Sequence, residues 1–226
     1  MRAVLKLAFG IAVGICLCAL VRGQEKGSVS GHPDTSGWKN LFESGLANAV
    51  FSPGGWIVEE DLLVAKAGGT IWTKESYGNF ILDLEFKVAP SANSGVFLRT
   101  GDIKNILSAL EIQIHENTDG AQYGMVGALY NAKPPSRDVN KPAGQWNRYT
   151  ITCRDSRLSL IFNGVLVLDI DLNDWKEARM NPDGTRNKFS VALKDYARSG
   201  PIGLQGLHGA EAAPVWFRNL KIKVIN

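Results

Sequence analysis

An alternation of apolar and polar residues over residues 79–88 constrains the fold of this chain more than any other feature. The apolar positions are Phe80, Leu82, Leu84, Phe86 and Val88, and the polar positions between them include Asp83, Glu85 and Lys87. Successive side chains of a β-strand point to opposite faces, so a period of two predicts a strand that is buried on one face only.

Further short strands follow along the chain, separated by turn residues such as the pair Asn163-Gly164, which is a strong hairpin signal. No stretch has a long helical period. The pattern therefore predicts an all-β fold, a two-sheet antiparallel jelly-roll sandwich. Two long loops, residues 131–145 and 171–188, are candidates for a functional role, because loops on a rigid scaffold often carry function.

The N-terminus predicts export. Residues 1–23 combine the basic residues Arg2 and Lys6 with an apolar run, which is the layout of a secretory signal peptide. That run is shorter than the ~20 residues of a membrane span, which favours cleavage, with an uncleaved N-terminal anchor as the alternative. After cleavage we expect no membrane span. Residues 24–36 are polar and predict a flexible leader, and residues 37–226 predict a single β-sandwich domain. A periplasmic, cell-surface or secreted location follows.

Charge argues against some classes of partner. The whole chain has 25 Lys and Arg residues against 22 Asp and Glu residues, and loss of Arg2, Lys6 and Arg22 with the signal peptide would balance the two. A balanced chain has no general basic surface, which argues against binding to nucleic acid. Cys153 is the one cysteine beyond residue 23, so no internal disulfide is expected and this residue is predicted to lie in the core.

Polar residues on the predicted strand at residues 109–116 suggest a binding site. If Leu110, Ile112 and Ile114 enter the core, the residues Glu111, Gln113 and His115 line up on the opposite face. An ordinary solvated outer face is the alternative reading of this row. On the preceding strand the same alternation directs Arg99 away from the core, and pairing of consecutive strands would bring it near Glu111 or Gln113.

The C-terminal segment 203–209 contributes to the same hypothesis. It contains Gln205 and His208 between several glycines, which allow a ligand to approach the backbone closely. Tyr130 lies next to a loop, where an aromatic ring is available for stacking on a sugar. Carboxylate, amide, imidazole and aromatic groups together suit a small carbohydrate as the ligand.

Metal sites and bound cofactors are weakly indicated. The three histidines are far apart and have no ligand spacing. Residues 169–174 carry several Asp and Asn side chains that offer oxygen ligands for calcium, although a solvated strand end explains them as well. We therefore expect no cofactor, with calcium at this segment as the alternative.

Several short motifs in a fixed order resemble a known family. The motifs are Gly37-Trp38, Leu41-Phe42, Asn79-Phe80, Asn93-Ser94-Gly95-Val96-Phe97-Leu98-Arg99, Glu111-Ile112-Gln113, Gly127-Ala128-Leu129-Tyr130, Lys141-Pro142-Ala143-Gly144-Gln145-Trp146-Asn147, Asn163-Gly164, Gly203-Leu204-Gln205, His208-Gly209 and Phe217-Arg218-Asn219-Leu220. Together they resemble the 3-keto-disaccharide hydrolase domain family, formerly a domain of unknown function. The resemblance covers residues 38–225.

The resemblance implies a concanavalin A-like sandwich and an exported enzyme acting on glycosides oxidised at carbon 3. The implied reaction is removal of the proton next to the ketone, elimination of the group at carbon 1, and hydration. Within this resemblance we expect either Glu111 or His208 to act as the base. The expected substrate-binding residues are Arg99, Gln113, His115, Tyr130, Lys141 and Gln205. The family often has an acidic residue shortly before the final His-Gly pair, where this chain has Gly206-Leu207.

Two other functions fit the same residues. A non-catalytic carbohydrate-binding module would use the same fold and the same polar face, since fold alone does not determine function. A structural surface domain that binds another protein through the loop of residues 131–145 is the third hypothesis.

Overall fold

The structure is a computed structural model that describes residues 31–116, 121–208 and 213–226. Thirteen strands form within these ranges. They are β1 (Lys39–Asn40), β2 (Ala49–Val50), β3 (Trp56–Glu59), β4 (Leu62–Ala65), β5 (Thr70–Thr73), β6 (Phe80–Val88), β7 (Asn93–Leu98), β8 (Leu110–His115), β9 (Asn147–Arg154), β10 (Arg157–Phe162), β11 (Val165–Asp171), β12 (Gly203–Gln205) and β13 (Val215–Val224). The helices are short 3-10 turns at Ser44–Leu46, Ile106–Ser108, Gln122–Gly124, Leu172–Asp174 and Leu193–Asp195.

The strands form two antiparallel sheets. The 8-stranded sheet has the order β11-β10-β9-β6-β13-β4-β3, with β1 beside β13, and the 5-stranded sheet has the order β2-β5-β12-β7-β8. This confirms the predicted all-β, two-sheet antiparallel sandwich. The strand that the alternation at residues 79–88 predicted is β6, which lies between β9 and β13 in the larger sheet.

The core lies between the two sheets and is built from the inward positions of each strand. Phe80, Leu82 and Phe86 of β6 are fully buried, and Ile112 and Ile114 of β8 face them from the smaller sheet. Burial of this apolar surface is the main stabilising contribution in a chain of this kind. Cys153 is also fully buried in this core, as its apolar neighbours predicted.

One buried polar contact joins the two sheets through the core. Tyr149 of β9 is fully buried, and its ring packs against Phe86 and Phe162 with centroid distances of 4.7 Å in each case. Its hydroxyl donates a hydrogen bond to the backbone oxygen of Gln113 on β8 at 2.8 Å. Burial raises the pKa of the Tyr149 phenol, so the group remains a donor. This contact links β8 to the larger sheet across the core.

The N-terminal part of the described chain packs on the 8-stranded sheet. His32 Nδ1 lies 2.8 Å from Thr150 Oγ1, and the backbone N–H of Gly164 donates to His32 Nε2 at 2.9 Å. Arg148 Nη2 donates to the backbone oxygen of Pro33 at 3.1 Å. Of the flexible leader expected for residues 24–36, residues 31–36 are described, and the flexibility of the leader stays a prediction. The predicted signal peptide lies outside the described residues.

Within the described ranges, none of the helices is long and apolar enough to cross a membrane.

The hydrogen bonds of His32 require a neutral ring. Because Nε2 accepts from Gly164, the proton resides on Nδ1 and is donated to Thr150, whose hydroxyl in turn donates to Asp83. Burial lowers the pKa of His32 from 6.5 to about 4, and the positive charge of Arg148 acts in the same direction. The folded state therefore binds fewer protons at this residue than the unfolded chain does between these two pH values.

We expect His32 to make the protein less stable as the pH falls. Its contribution is fully present above pH 6.5 and is lost as the pH falls toward 4, because the unfolded chain then gains the proton first. Replacing His32 with Gln should make the free energy of unfolding depend less on pH between pH 6.5 and 4. Thermal unfolding of both proteins across pH 7 to 4 measures the effect, and identical pH dependence in the two would contradict it.

Candidate active site on the five-stranded sheet

The row of polar residues predicted on β8 lies on the outer face of the 5-stranded sheet. The neighbouring positions Leu110, Ile112 and Ile114 belong to the core, so Glu111 and Gln113 point away from it. Both are nonetheless largely buried, with exposures of 7% and 4%. Neighbouring side chains therefore cover most of both residues, and the half-buried His115 stands at the end of the row. We refer to this polar region on the outer face as the recess.

A missing side chain on β7 determines where the Glu111 carboxylate lies. The register pairs Phe97 with Glu111 and Gly95 with Gln113. A Cβ atom at Gly95 would lie 2.6 Å from Glu111 Oε1, a separation that real Cβ contacts do not show. The carboxylate therefore lies across β7 in space that only glycine leaves open.

Lys188 is the partner of this carboxylate. Its Nζ lies 3.4 Å from Glu111 Oε2 and 4.2 Å from the ring centroid of Tyr130. The Tyr130 backbone N–H also donates to the backbone oxygen of Glu111 at 2.9 Å, which holds the aromatic ring beside the pair. The ammonium group is thus held between a carboxylate and an aromatic face, both of which attract a cation.

The long loop of residues 171–188 positions Lys188 through its own buried polar contacts. The Trp175 indole N–H donates to Asn181 Oδ1 at 2.9 Å, and the same oxygen accepts from Asn187 Nδ2 at 2.9 Å. Phe189, which follows Lys188, is buried in the main core. A loop anchored on both sides of Lys188 restricts where the ammonium group can reach.

Burial and pairing act against each other at this ion pair. Burial raises the pKa of the Glu111 carboxyl above its usual value, while the positive charges of Lys188 and His208 oppose that rise. Burial likewise lowers the pKa of Lys188, and Glu111 opposes that change. For both groups burial has the larger effect. When ionised, Glu111 is therefore a stronger base than an exposed glutamate.

The Gln113 carboxamide completes the polar floor. With its nitrogen turned toward Glu111, it donates to Glu111 Oε1 and to the backbone oxygen of Ser94, each at 3.3 Å. Its other end lies 3.2 Å from the Asn93 side chain. We assign this orientation because it gives the carboxamide nitrogen two acceptors.

The C-terminal segment lies on the same face. Asn93 of β7 pairs through its backbone with His208, whose side chain is exposed and whose charge acts on Glu111. Gln205 shares the outer side of β12 with Gly203, because residues two apart on a strand share a face. Its backbone oxygen accepts from Ser94 Oγ at 2.7 Å.

An aromatic wall closes one end of the recess. The Trp72 ring stacks on Phe97 with a centroid distance of 5.4 Å. It lies over Gly203, where a Cβ atom would be 2.4 Å from the indole. Ala109 and Ile103 pack against this pair and complete a small apolar cluster that is separate from the main core.

The prediction that Arg99 pairs with Glu111 or Gln113 is wrong. β7 ends at Leu98, and Arg99 has a φ of 50°, so the alternation of side chains stops there. The residue is 1% exposed. Its guanidinium donates to the backbone oxygens of Gly78 at 2.9 Å and Asp155 at 2.6 Å, and to Asn79 Oδ1 at 3.3 Å. Arg99 therefore joins two turns instead of lining the recess.

The expected contact of Lys141 with the substrate at this site is also wrong. Its Nζ donates to the backbone oxygen of Trp146 at 3.0 Å, and its side chain lines a cleft with Glu85 and Arg218 on the outer face of the 8-stranded sheet. The core separates this cleft from Glu111. The loop of residues 131–145, which contains Lys141, is bonded to the larger sheet through Ser136 and Gly144.

The structure thus brings most of the predicted residues together and adds others. Those on the outer face of the smaller sheet are Glu111, Gln113, His115, Tyr130, Gln205 and His208. Lys188, Gly95 and Trp72 were not predicted. The length of the loop 171–188 indicated that this loop has a functional role. The sequence does not indicate which residue of the loop reaches the sheet.

No group of three or more His, Cys, Asp or Glu side chains suited to a metal ion occurs within residues 31–116, 121–208 and 213–226. In the segment considered for calcium, Asp169 pairs with Arg157 at 2.6 Å. Asp171 Oδ1 accepts from the backbone N–H of Asn173 at 2.9 Å. Both carboxylates therefore have protein partners.

Comparison with known proteins identifies the family. The model of the 3-keto-alpha-glucoside-1,2-lyase-like domain matches residues 29–223. The chain belongs to this family. The resemblance drawn from the sequence motifs is confirmed. The family match also includes residues 31–36, in agreement with their packing on the larger sheet.

Individual relatives of this lyase-like domain are similar over much of the chain. A 3-keto-disaccharide hydrolase from Bacteroides thetaiotaomicron is 25% identical over 182 residues, which cover 70% of this chain and 63% of that protein. The chain therefore spans less than two thirds of that relative. A crystal structure of a candidate glycosyl hydrolase from Parabacteroides distasonis is 36% identical, with a TM-score of 0.80, and the match covers 83% of this chain and 99% of that one.

A second crystal structure from Parabacteroides distasonis shares the fold of the lyase-like domain. It is 24% identical with a TM-score of 0.63, and the match covers 76% of this chain and 84% of that one.

We expect Arg99 to contribute to stability. Replacing it with Met leaves three acceptors without their charged donor and should lower the free energy of unfolding by about 3 kcal/mol. For a lyase-like domain of this size that corresponds to a fall in Tm of about 6–12 °C. Thermal unfolding measures it, with the exposed Arg154→Met as the matched control. Equal Tm values for the two variants would contradict a structural role for Arg99.

Removing the charge of Lys188 should raise the pKa of Glu111 further. The ammonium group is the main influence that opposes the effect of burial on this carboxyl. Titration of the Glu111 side-chain carboxyl carbon by 13C NMR in Lys188→Met measures the change. Lys176→Met, an exposed lysine of the same loop, is the control and should leave the titration unchanged. An unchanged or lower pKa in Lys188→Met would contradict the ion pair.

Proposed function

We propose that this protein cleaves the glycosidic bond of 3-keto-glycosides, with Glu111 as the base. The observation that carries the proposal is the Glu111 carboxylate lying over Gly95 with Lys188 Nζ at 3.4 Å. The substrate class is supported by the family match and by the name of the Bacteroides thetaiotaomicron relative.

The first step is proton removal. A ketone at carbon 3 acidifies the proton on carbon 2, and a Glu111 oxygen accepts that proton while the electron pair forms an enolate. The negative charge develops on the oxygen at carbon 3. Lys188 is the nearest cation in the recess, and a fixed positive charge in a partly buried site stabilises such an oxyanion strongly.

The second step is elimination. The enolate re-forms the ketone, a double bond forms between carbons 1 and 2, and the bond from carbon 1 to the leaving oxygen breaks. That oxygen needs a proton. His208 is exposed at the rim of the recess and is assigned as its donor, which leaves the more buried Glu111 as the base.

Hydration completes the reaction. Water adds its hydroxyl to carbon 1 and gives its other proton to His208, which restores the donor. Glu111, whose proton has exchanged with solvent, protonates carbon 2, so the net change is hydrolysis. Gln113 and Gln205 lie beside the carboxylate and are assigned to the sugar hydroxyls, with the Tyr130 ring and the Trp72–Phe97 wall bounding the ring of the substrate.

The proposed mechanism needs fewer carboxyl groups than ordinary glycoside hydrolysis does. Most glycosidases need a pair of carboxyl groups about 5–10 Å apart, one as acid and one as base or nucleophile. Here a single carboxylate with an adjacent ammonium group is sufficient, because the ketone makes carbon 2 acidic. Glu111 with Lys188 is such a combination.

We expect the purified protein to release free 3-keto-glucose from 3-keto-trehalose. In D2O the product should carry deuterium at carbon 2, because that proton is exchanged during the reaction. Glu111→Gln should reduce kcat by at least about 100-fold, since it removes the base. Mass spectrometry of the product and a reducing-sugar assay measure both effects.

The matched control is Glu59→Gln, which changes an exposed glutamate on β3 of the other sheet and should leave kcat unchanged. Release of the product without deuterium would contradict proton abstraction at carbon 2. Binding of 3-keto-trehalose without formation of product would contradict the proposed enzymatic activity and would favour a carbohydrate-binding module.

A further inference from the structure

A second cleft lies on the opposite side of the molecule, on the outer face of the 8-stranded sheet. Its volume is about 390 Å³, and its lining includes Lys141, Trp146, Arg148 and Arg218 together with Glu85. Because Leu84 and Phe86 beside Glu85 belong to the core, the whole sandwich separates this cleft from Glu111. The reaction proposed above does not use any of these residues.

The charge of the cleft is positive. Lys141, Arg148 and Arg218 line it, and Glu85 is the one carboxylate in the lining. His32 also lines it and is held neutral near pH 7 by its hydrogen bonds to Thr150 and Gly164. Asp83, which pairs with Arg148 behind the lining, reduces this excess of positive charge but does not cancel it, so the cleft favours an anionic ligand.

Arg218 is held rigidly with part of its donor set free. Its Cζ lies 3.9 Å from the ring centroid of Trp146, and its Nε donates to Glu85. Within the described part of the chain, its two terminal nitrogens have no protein acceptor. A stacked, preoriented guanidinium with two adjacent free donors matches the geometry of a carboxylate.

Arg148 is fixed in a similar way. Its Nε pairs with the buried Asp83 at 3.0 Å, and its Nη2 donates to the backbone oxygen of Pro33 at 3.1 Å. These contacts hold a second guanidinium in the wall of the cleft before any ligand binds. Preorganisation of this kind lowers the entropic cost of binding.

Indole groups extend the cleft along the sheet. Lys87 Nζ lies 5.1 Å from the ring centroid of Trp146 and 4.8 Å from that of Trp216, so a lysine separates two half-buried tryptophans. Aromatic faces beside cations form a surface that accepts both the apolar face of a sugar ring and a negative charge.

We propose that this cleft is a second, non-catalytic site that binds an acidic saccharide, with the carboxylate of a uronic acid residue on the free donors of Arg218. The cleft volume lies within the range of ordinary small-molecule sites, about 300–1,000 Å³. Lys141 reaches the same carboxylate from the loop, and the Trp146 indole bounds the sugar ring. The site would hold the protein on an acidic glycan while the smaller sheet remains open to substrate.

Isothermal titration with tetragalacturonate as the probe tests the proposal, and maltotetraose is the neutral probe of equal length. We expect tetragalacturonate to bind at least tenfold more tightly than maltotetraose, with weaker binding when NaCl is raised. Arg218→Gln, which removes the charge, should weaken binding of tetragalacturonate at least tenfold. Lys141→Gln, at an exposed position, should also weaken it, so the result does not depend on one variant.

Two control variants locate the site. Lys176→Gln, at an exposed lysine away from the cleft, and Glu111→Gln, in the smaller sheet, should both retain the affinity of the unmodified protein. Equal affinity for the two probes, full affinity in both Arg218→Gln and Lys141→Gln, or loss of binding in Glu111→Gln would overturn the proposal. Because no turnover is measured, these results are independent of the reaction proposed for Glu111.

Discussion

The alternation of side chains along β6 and β8 is the constraint on which the rest of the structure depends. Each strand has one face in the common core, so every second residue must be apolar and the residues between them are directed outward. On β8 this places Glu111 and Gln113 on the outer face of the smaller sheet. On β6 it places Asp83 and Glu85 on the outer face of the larger one. The two outer faces therefore carry different groups: a carboxylate paired with Lys188 on the smaller sheet, and carboxylates paired with arginines on the larger one.

On the smaller sheet, absent side chains determine the shape of the recess. Gly95 leaves room for the Glu111 carboxylate, and Gly203 leaves room for the Trp72 ring. A methyl group at either position would displace the group that lies there. The recess is thus a property of the pairing of strands β5, β12, β7 and β8, in which a glycine on one strand faces a large side chain on the next.

Buried charges perform two distinct tasks in this protein. Glu111 and Lys188 retain partial access to solvent and oppose each other's loss of charge, which suits a proton acceptor beside a fixed positive charge. Arg99 is almost completely buried, and each of its three guanidinium nitrogens donates to a backbone or side-chain acceptor of two turns. The difference follows from the acceptors around each basic group. Lys188 faces one carboxylate at the recess, whereas the guanidinium of Arg99 is surrounded by acceptors of two turns.

The sequence by itself determined the sandwich, the core-facing positions and the row from Glu111 to His115, because these depend on local alternation and turn residues. It also determined the family, through motifs spread along the chain. Arg99 and Lys141 were misplaced because a positive φ interrupts the alternation at one, and a loop carries the other to the opposite sheet. Only the tertiary structure brought Lys188 to Glu111, since a contact between residues 77 positions apart depends on how a loop packs and not on any local pattern.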